Sequence, residues 1–192
     1  MRILLLAAFM SAMSPYPAAA QDSMNLLVNT AADSGLSTWR VDGEAAVEEF
    51  EGNRCFVLRN GARLTQEVEL PGDSAGKFVL FIAHVFGERT DRPEDITDQP
   101  YLYGLTLSAD RRRILLHNQA ATMGGLAVPP GQWGKSWGVF RVPEGASSIL
   151  YQLGQGLRRG TLRNGSAARF DDVGLFVFNT RDAAERFVQR YR

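Results

Sequence analysis

Aromatic side chains with polar neighbours are the residues of this sequence whose chemistry is most specific. The ring of Trp133 follows a Pro-Pro-Gly turn, which favours exposure, and Tyr101 and Tyr103 alternate, so a strand places both on one face. A ligand with an apolar ring face can stack on such aromatic side chains, while amide and imidazole side chains can form hydrogen bonds with the hydroxyls of the ligand. Inner packing is the alternative role for both tyrosines. The predicted ligand-binding residues are Trp133, Tyr101, Tyr103, Asn118, Gln132 and His117.

No residue spacing matches a catalytic motif. The sequence lacks G-x-S-x-G, H-E-x-x-H and a phosphate-binding glycine loop, and it holds only two His and one Cys. His84 lies inside an apolar segment, where a packed histidine is the simpler interpretation. Glu67 and Glu69 alternate as a solvent-facing strand row does, and the acidic stretch 88–98 reads as a charged surface loop. We therefore expect a non-catalytic protein.

Composition excludes several classes of protein. The 192 residues carry 21 basic and 21 acidic side chains, so no basic excess favours nucleic-acid binding. A hydrophobic share of 45% is typical of a globular chain. The single cysteine, Cys55, rules out an internal disulfide framework and a multi-cysteine zinc site, and we expect it to be a small buried hydrophobe.

Residues 1–20 have the pattern of a secretory signal peptide. Arg2 provides the positive charge, Ile3–Met10 is the apolar run, and Ala18–Ala20 is a small-residue cleavage site. That apolar run is too short to span a bilayer, and no later segment is apolar enough to do so. We expect an exported protein, periplasmic or secreted, that starts at Gln21 and has no membrane span.

Short alternating segments separated by turn residues predict about ten strands. The segment from Lys77 is apolar on both faces, so it should be a central strand covered on both sides. In the preceding strand, Leu64, Gln66 and Val68 share one face. This pattern indicates an all-β protein, an antiparallel β-sandwich of the jelly-roll type. The other predicted strands are Ser37–Val41, Ala46–Phe50, Arg54–Leu58, Tyr101–Leu107, Ile114–His117, Ser136–Val142, Ser148–Leu153 and Phe170–Phe178.

The sequence predicts a short helix over residues 179–192. The pair Asn179-Thr180 can cap the helix, and Asp182 suits its first turn. An apolar stripe includes Phe187, Val188 and Tyr191. The helix is expected either to lie on the sandwich or to contact a protein partner.

The two ends of the β domain carry recognisable motifs. One is Asn25-Leu26-Leu27-Val28-Asn29, continuing through Asp33 to Trp39, and the other is Asp171-Asp172-Val173-Gly174-Leu175. The pair resembles the galactose-binding-domain-like jelly rolls, above all their bacterial carbohydrate-binding modules, which open N-L-L-x-N-G-x-F-E-x-G-x-x-x-W and close D-D-V-x-L. The resemblance implies a jelly-roll fold and a polysaccharide or glycan partner. The opening motif departs from the family pattern by losing an aromatic residue and shortening the carboxylate to Asp33.

The resemblance also implies a structural calcium ion. Family members hold it with backbone carbonyls and two acidic residues, which match Asp33 and Asp171. Strand alternation places Asp171 in the row of Val173 and Leu175, the predicted core row, where a carboxylate needs a partner. Hydrogen bonds from backbone or arginine groups are the alternative to calcium.

Together these observations predict a signal peptide at 1–20, a β-sandwich at 21–178 and a C-terminal helix at 179–192. The expected function is that of an exported, non-catalytic, lectin-like carbohydrate-binding module. The alternative is an envelope structural or protein-interaction domain on the same fold, docking through its helix.

Overall fold

A computed structural model describes residues 24–87, 100–119, 131–156 and 167–191. The predicted signal peptide and most of the acidic loop lie outside these residues. The strands are β1 Arg40–Phe50, β2 Asn53–Glu69, β3 Phe78–Gly87, β4 Pro100–Ser108, β5 Ile114–Gln119, β6 Trp133–Arg141, β7 Ala146–Gln155 and β8 Ala167–Phe178, and the helix is α1 Arg181–Arg190.

All pairings between these strands are antiparallel, and they form two layers that share β1 and β2. The first sheet runs β1-β2-β8-β3-β6, and the second runs β1-β2-β7-β4-β5. The predicted antiparallel β-sandwich jelly roll with one short terminal helix is therefore confirmed.

Long bent strands account for the difference between ten predicted and eight observed strands. The 17-residue strand β2 pairs with β8 through Phe56–Arg59 and with β7 through Arg63–Glu69. Between these parts Asn60 and Gly61 have φ of 55° and 76°, and the register of β1 shifts between Asp42 and Glu44. Such irregularities bend strands without ending them. Sequence turn signals at these points therefore mark bends within β1 and β2.

The core fills the space between the sheets. Phe81 of β3 stacks on Tyr151 of β7 with ring centroids 5.5 Å apart, and the Tyr151 hydroxyl donates to the Ile82 carbonyl at 3.0 Å. Trp39 and Phe56 pack beside this pair. Tyr151 and its neighbours thus bond the two layers through both ring contacts and a hydrogen bond.

The outward side of the first sheet is covered by α1. Thr180 caps the helix by accepting a hydrogen bond from the Ala183 amide at 3.2 Å, so it is the cap of the predicted Asn179-Thr180 pair. Ala184 and Val188 pack on a cluster that contains Leu80, Ile82 and Phe176 of the sheet. Strand β3 is therefore covered on both sides, as predicted. No helix in the described part of the chain is long and apolar enough to cross a membrane.

The opening motif acts structurally along the free edge of β8. The Asn25 side chain donates to the Val173 carbonyl and accepts from the Leu175 amide, both at 3.0 Å. On the other side of the segment, the Gln66 amide accepts from the Val28 N–H at 2.9 Å and donates to the Val28 carbonyl at 3.0 Å. These side-chain bonds supplement two backbone bonds between the segment and β8, from the Leu26 N–H to the Leu175 carbonyl at 2.8 Å and from the Val173 N–H to the Thr30 carbonyl at 3.1 Å.

Candidate functional site

The outward side of the second sheet carries the aromatic and polar side chains that best suit a ligand. Leu102 points into the core and Gly104 faces Phe81, so Tyr101 and Tyr103 project outward. Cross-strand register places Arg63 in the row of Tyr101, and Thr65 and Gln152 in the row of Tyr103. This surface, formed by Tyr101, Tyr103, Gln152, Thr65, Arg63 and His117, is called the tyrosine face.

Tyr103 is the half-exposed aromatic ring of the tyrosine face. Its hydroxyl donates to Nδ1 of His117 in the imidazole tautomer that carries its proton on Nε2, and the two ring centroids lie 6.0 Å apart. Burial raises the pKa of the Tyr103 phenol, so it stays protonated at neutral pH. The ring therefore offers an apolar surface held in place by a polar contact at its edge.

Tyr101 is on the same face but has little free surface. Its side chain is only 3% exposed, and its oxygen accepts a hydrogen bond from Nε2 of Gln152 at 2.6 Å. Burial raises the pKa of the Tyr101 phenol, which the positive charge of Arg63 and the hydrogen bonds from Gln152 and Arg63 partly oppose. The two tyrosines share a face, but only Tyr103 presents its ring.

Sequence reasoning missed Gln152, Arg63 and Thr65. The available signal for Gln152 was a polar residue between the buried residues Tyr151 and Leu153. Strand pairing was needed to bring it beside Tyr103, because the two residues are 49 positions apart in the sequence.

Asn118 does not reach the tyrosine face. It is fully buried between the sheets in register with Gly104, and its Nδ2 donates to Thr106 Oγ1 at 2.7 Å. The alternation of β5 explains this, since His117 points outward and its neighbour must point inward.

Trp133 and Gln132 lie at the start of β6, which belongs to the first sheet. The Trp133 ring is half-buried against Phe50 and Phe86, at centroid distances of 6.2 and 5.6 Å, and its Nε1 donates to Glu51 at 2.9 Å. The structure thus divides the six predicted residues. Tyr101, Tyr103 and His117 meet on one sheet, Trp133 and Gln132 on the other, and Asn118 lies inside.

Asp171 is not in the core row, so the sequence-based placement was wrong. Asp172 has φ of 45°, and the register with β3 shifts so that His84 opposes Asp171 while Ile82 opposes Gly174. This bulge changes the alternation, so that Phe170 and Val173 are buried while Asp171 is half-buried toward the outward side.

The electrostatic surroundings of Asp171 nevertheless include other acids. Burial is the main cause that raises the pKa of its carboxyl, and the charges of Asp172 and Asp33 raise it further. The hydrogen bond from the Asp172 amide and the charge of His84 lower this pKa. Asp172 Oδ2 lies 3.3 Å from Nδ1 of His84, and Asp33 is exposed. Within the described ranges, no three His, Cys, Asp or Glu side chains are arranged to hold a metal ion.

No protein-family model and no curated protein matches the sequence. Among solved structures, the tandem CBM22-1-CBM22-2 domain of Xyn10C from Paenibacillus barcinonensis matches with a TM-score of 0.52 and 17% identity, over 77% of this chain and 48% of that one. The enzymatically active domain of tailspike protein 4 of bacteriophage CBA120 matches with a TM-score of 0.51 and 16% identity, over 80% and 21%.

A module named TmCBM61, solved with β-1,4-galactotriose, is 21% identical with a TM-score of 0.44, over 82% of this chain and all of that one. The chain thus spans about a fifth of the tailspike domain and about half of the tandem domain. At these identities the likeness concerns the fold. The chain has the β-sandwich jelly-roll fold of carbohydrate-binding modules, as its terminal motifs predicted.

Proposed function

We propose that this protein is a non-catalytic carbohydrate-binding module that holds a glycan on the tyrosine face. The observation that carries the proposal is the half-exposed Tyr103 ring in register with Gln152 and Thr65. A sugar ring has apolar C–H surface that suits an aromatic ring, and its hydroxyls suit amide and hydroxyl partners. This combination occurs on a fold that carbohydrate-binding modules share.

The opposite side of the sandwich supports the same choice of site. Helix α1 occupies the outward side of the first sheet, where Phe187 and Tyr191 pack against Phe176 at centroid distances of 4.7 and 5.8 Å. The apolar stripe of the helix is therefore used within the chain, and no observation favours a protein partner docking on it. The tyrosine face, in contrast, carries no helix in the described part of the chain.

Calcium is a second element of the proposal. Asp33 and Asp171, with backbone carbonyls of the opening segment, would hold the ion. Burial and then the charges of neighbouring carboxylates raise the pKa of Asp171, and a divalent cation would relieve the second of these effects. Its role would be to fix the opening segment against β8, away from the tyrosine face.

Export completes the proposal and is supported by the signal-peptide pattern of residues 1–20. A glycan-binding protein in the periplasm or the medium would meet polysaccharide there.

The test is binding of the purified protein to a glycan array and to gels cast with soluble polysaccharides such as xylan and β-1,4-galactan. Tyr103→Ala should weaken binding at least about tenfold, because it removes the exposed ring. Trp133→Ala is the matched variant, since the sequence alone predicts that it abolishes binding. Thermal unfolding should show that both variants are folded.

Three results would contradict the proposal. Binding that Trp133→Ala abolishes and Tyr103→Ala leaves intact would move the site to the first sheet. If neither variant alters binding, the glycan binds at neither Tyr103 nor Trp133, and both assignments are wrong. A folded wild-type protein that binds no glycan on the array or in the gels would refute the function itself.

A further inference from the structure

Tyr101 lies flat on the backbone of its neighbouring strand. A Cβ atom at Gly154, its register partner in β7, would be 2.0 Å from the Tyr101 Cζ and 2.3 Å from its hydroxyl oxygen. The ring therefore occupies the space that any other side chain at position 154 would fill. Because the residue is 3% exposed, it has no free ring surface on which a sugar could stack.

The Tyr101 oxygen is a hydrogen-bond acceptor for the Gln152 amide of the tyrosine face. Nε2 of Gln152 donates to it at 2.6 Å, and the positive charge of Arg63 acts on the same phenol. An amide whose nitrogen is held in this way has its oxygen directed elsewhere. Oε1 of Gln152 accepts no hydrogen bond from any residue in the described ranges, and Gln152 is half-buried beside Tyr103.

We infer that Tyr101 is a positioning residue, which fixes the Gln152 amide so that Oε1 accepts a hydrogen bond from a sugar hydroxyl over the Tyr103 ring. This inference rests on the proposed function of the tyrosine face and adds the chemistry of its ligand. The group recognised is a hydroxyl donor, as neutral sugars provide. A free glutamine loses the freedom of several side-chain torsions when it binds, and Tyr101 removes that cost before the ligand arrives.

The first experiment needs no glycan. Heteronuclear NOE of the Gln152 side-chain amide should show a rigid group in the wild-type protein and a mobile one in Tyr101→Phe, which keeps the ring over Gly154 but lacks the accepting oxygen. Gln189, exposed on α1, is the internal reference for a mobile amide. A Gln152 amide as mobile as that of Gln189 in the wild type, or equally rigid in Tyr101→Phe, would overturn the inference.

The second experiment is a double-mutant cycle in gels cast with xylan or β-1,4-galactan. Tyr101→Phe and Gln152→Ala should each weaken binding about tenfold, and the double variant should be no weaker than Gln152→Ala alone. Losses that add, or a Tyr101→Phe protein that binds as wild type does, would contradict a positioning role.

The two experiments separate failure of the inference from failure of the function. If Tyr103→Ala loses binding while Tyr101→Phe does not, only the positioning role is wrong. If the NOE result is as expected but the wild type binds no glycan, Tyr101 still orders Gln152 while the ligand assignment falls.

Discussion

Gly154→Ala is the substitution that tests the packing of the tyrosine face most directly. The added methyl would sit 2.0–2.4 Å from three atoms at the far end of the Tyr101 side chain. Ordinary contact begins at 3.4 Å, so the ring must retreat by about 1.4 Å. On the core side it has no space, so it must lift outward and leave its partner Gln152.

The size of the effect follows from what the ring loses when it lifts. Overpacking of a filled site costs about 1–3 kcal/mol, and loss of the hydrogen bond with Gln152 contributes about 1 kcal/mol of this. We therefore expect Gly154→Ala to lower the free energy of unfolding by about 2 kcal/mol. In a protein of this size, that loss lowers the melting temperature by roughly 4–8 °C.

Urea denaturation followed by tryptophan fluorescence measures this loss. Gly72→Ala is the matched control, because a Cβ there meets no atom within 4 Å, and it should change stability by less than about 0.5 kcal/mol. In a Tyr101→Ala background the cost of Gly154→Ala should largely vanish, since the clash is gone. Equal stabilities of the two alanine variants, or a cost that persists without the Tyr101 ring, would refute the reasoning.

Three further predictions concern other parts of the molecule. Lys135→Met should lower the free energy of unfolding by about 1–2 kcal/mol in urea melts, because the ammonium group donates to last-turn carbonyls of α1; an unchanged melt would contradict this. Calcium should raise the melting temperature above that in EDTA, and Asp171→Asn should abolish the difference, whereas equal temperatures for the wild type count against the ion. Iodoacetamide at pH 8 should label Cys55 only in urea. Burial is the main cause that raises the thiol pKa to about 11; the positive charge of Arg169 lowers this pKa, and the charges of Asp171 and Glu48 raise it. Equally fast labelling with and without urea would disprove the burial argument. Because the thiol pKa is raised above its ordinary 9.0, the contribution of this group to folding stability is present below pH 9 and declines toward pH 11.

Local patterns were sufficient to predict the elements of the fold. Apolar residues on both faces of β3 indicated a strand covered on both sides, and the Asn179-Thr180 cap signal indicated a helix at the end of the chain. The inward row of Leu64, Gln66 and Val68 is buried as alternation requires. In each case the signal lies within one element.

The errors arose where the backbone interrupts alternation or where pairing decides the neighbour. At Asp171 a bulge moved the carboxylate out of the core row, and a one-residue change of this kind has no clear mark in Asp-Asp. Gln152 could not be placed beside Tyr103 without knowing that β7 pairs with β4. The fold was therefore predictable from periodicity, whereas the candidate site depended on register.

Strands β1 and β2 belong to both sheets, so the two layers are covalently continuous along one edge of the sandwich. At the Asn60-Gly61 bend the chain turns from one layer to the other, so the layers cannot part there without breaking hydrogen bonds within both strands. On the opposite edge, β5 and β6 end separate sheets and are not paired with each other in the described residues. We therefore expect the two layers to separate locally at the β5–β6 edge. Amide hydrogen exchange in these two strands should be the fastest of the eight strands.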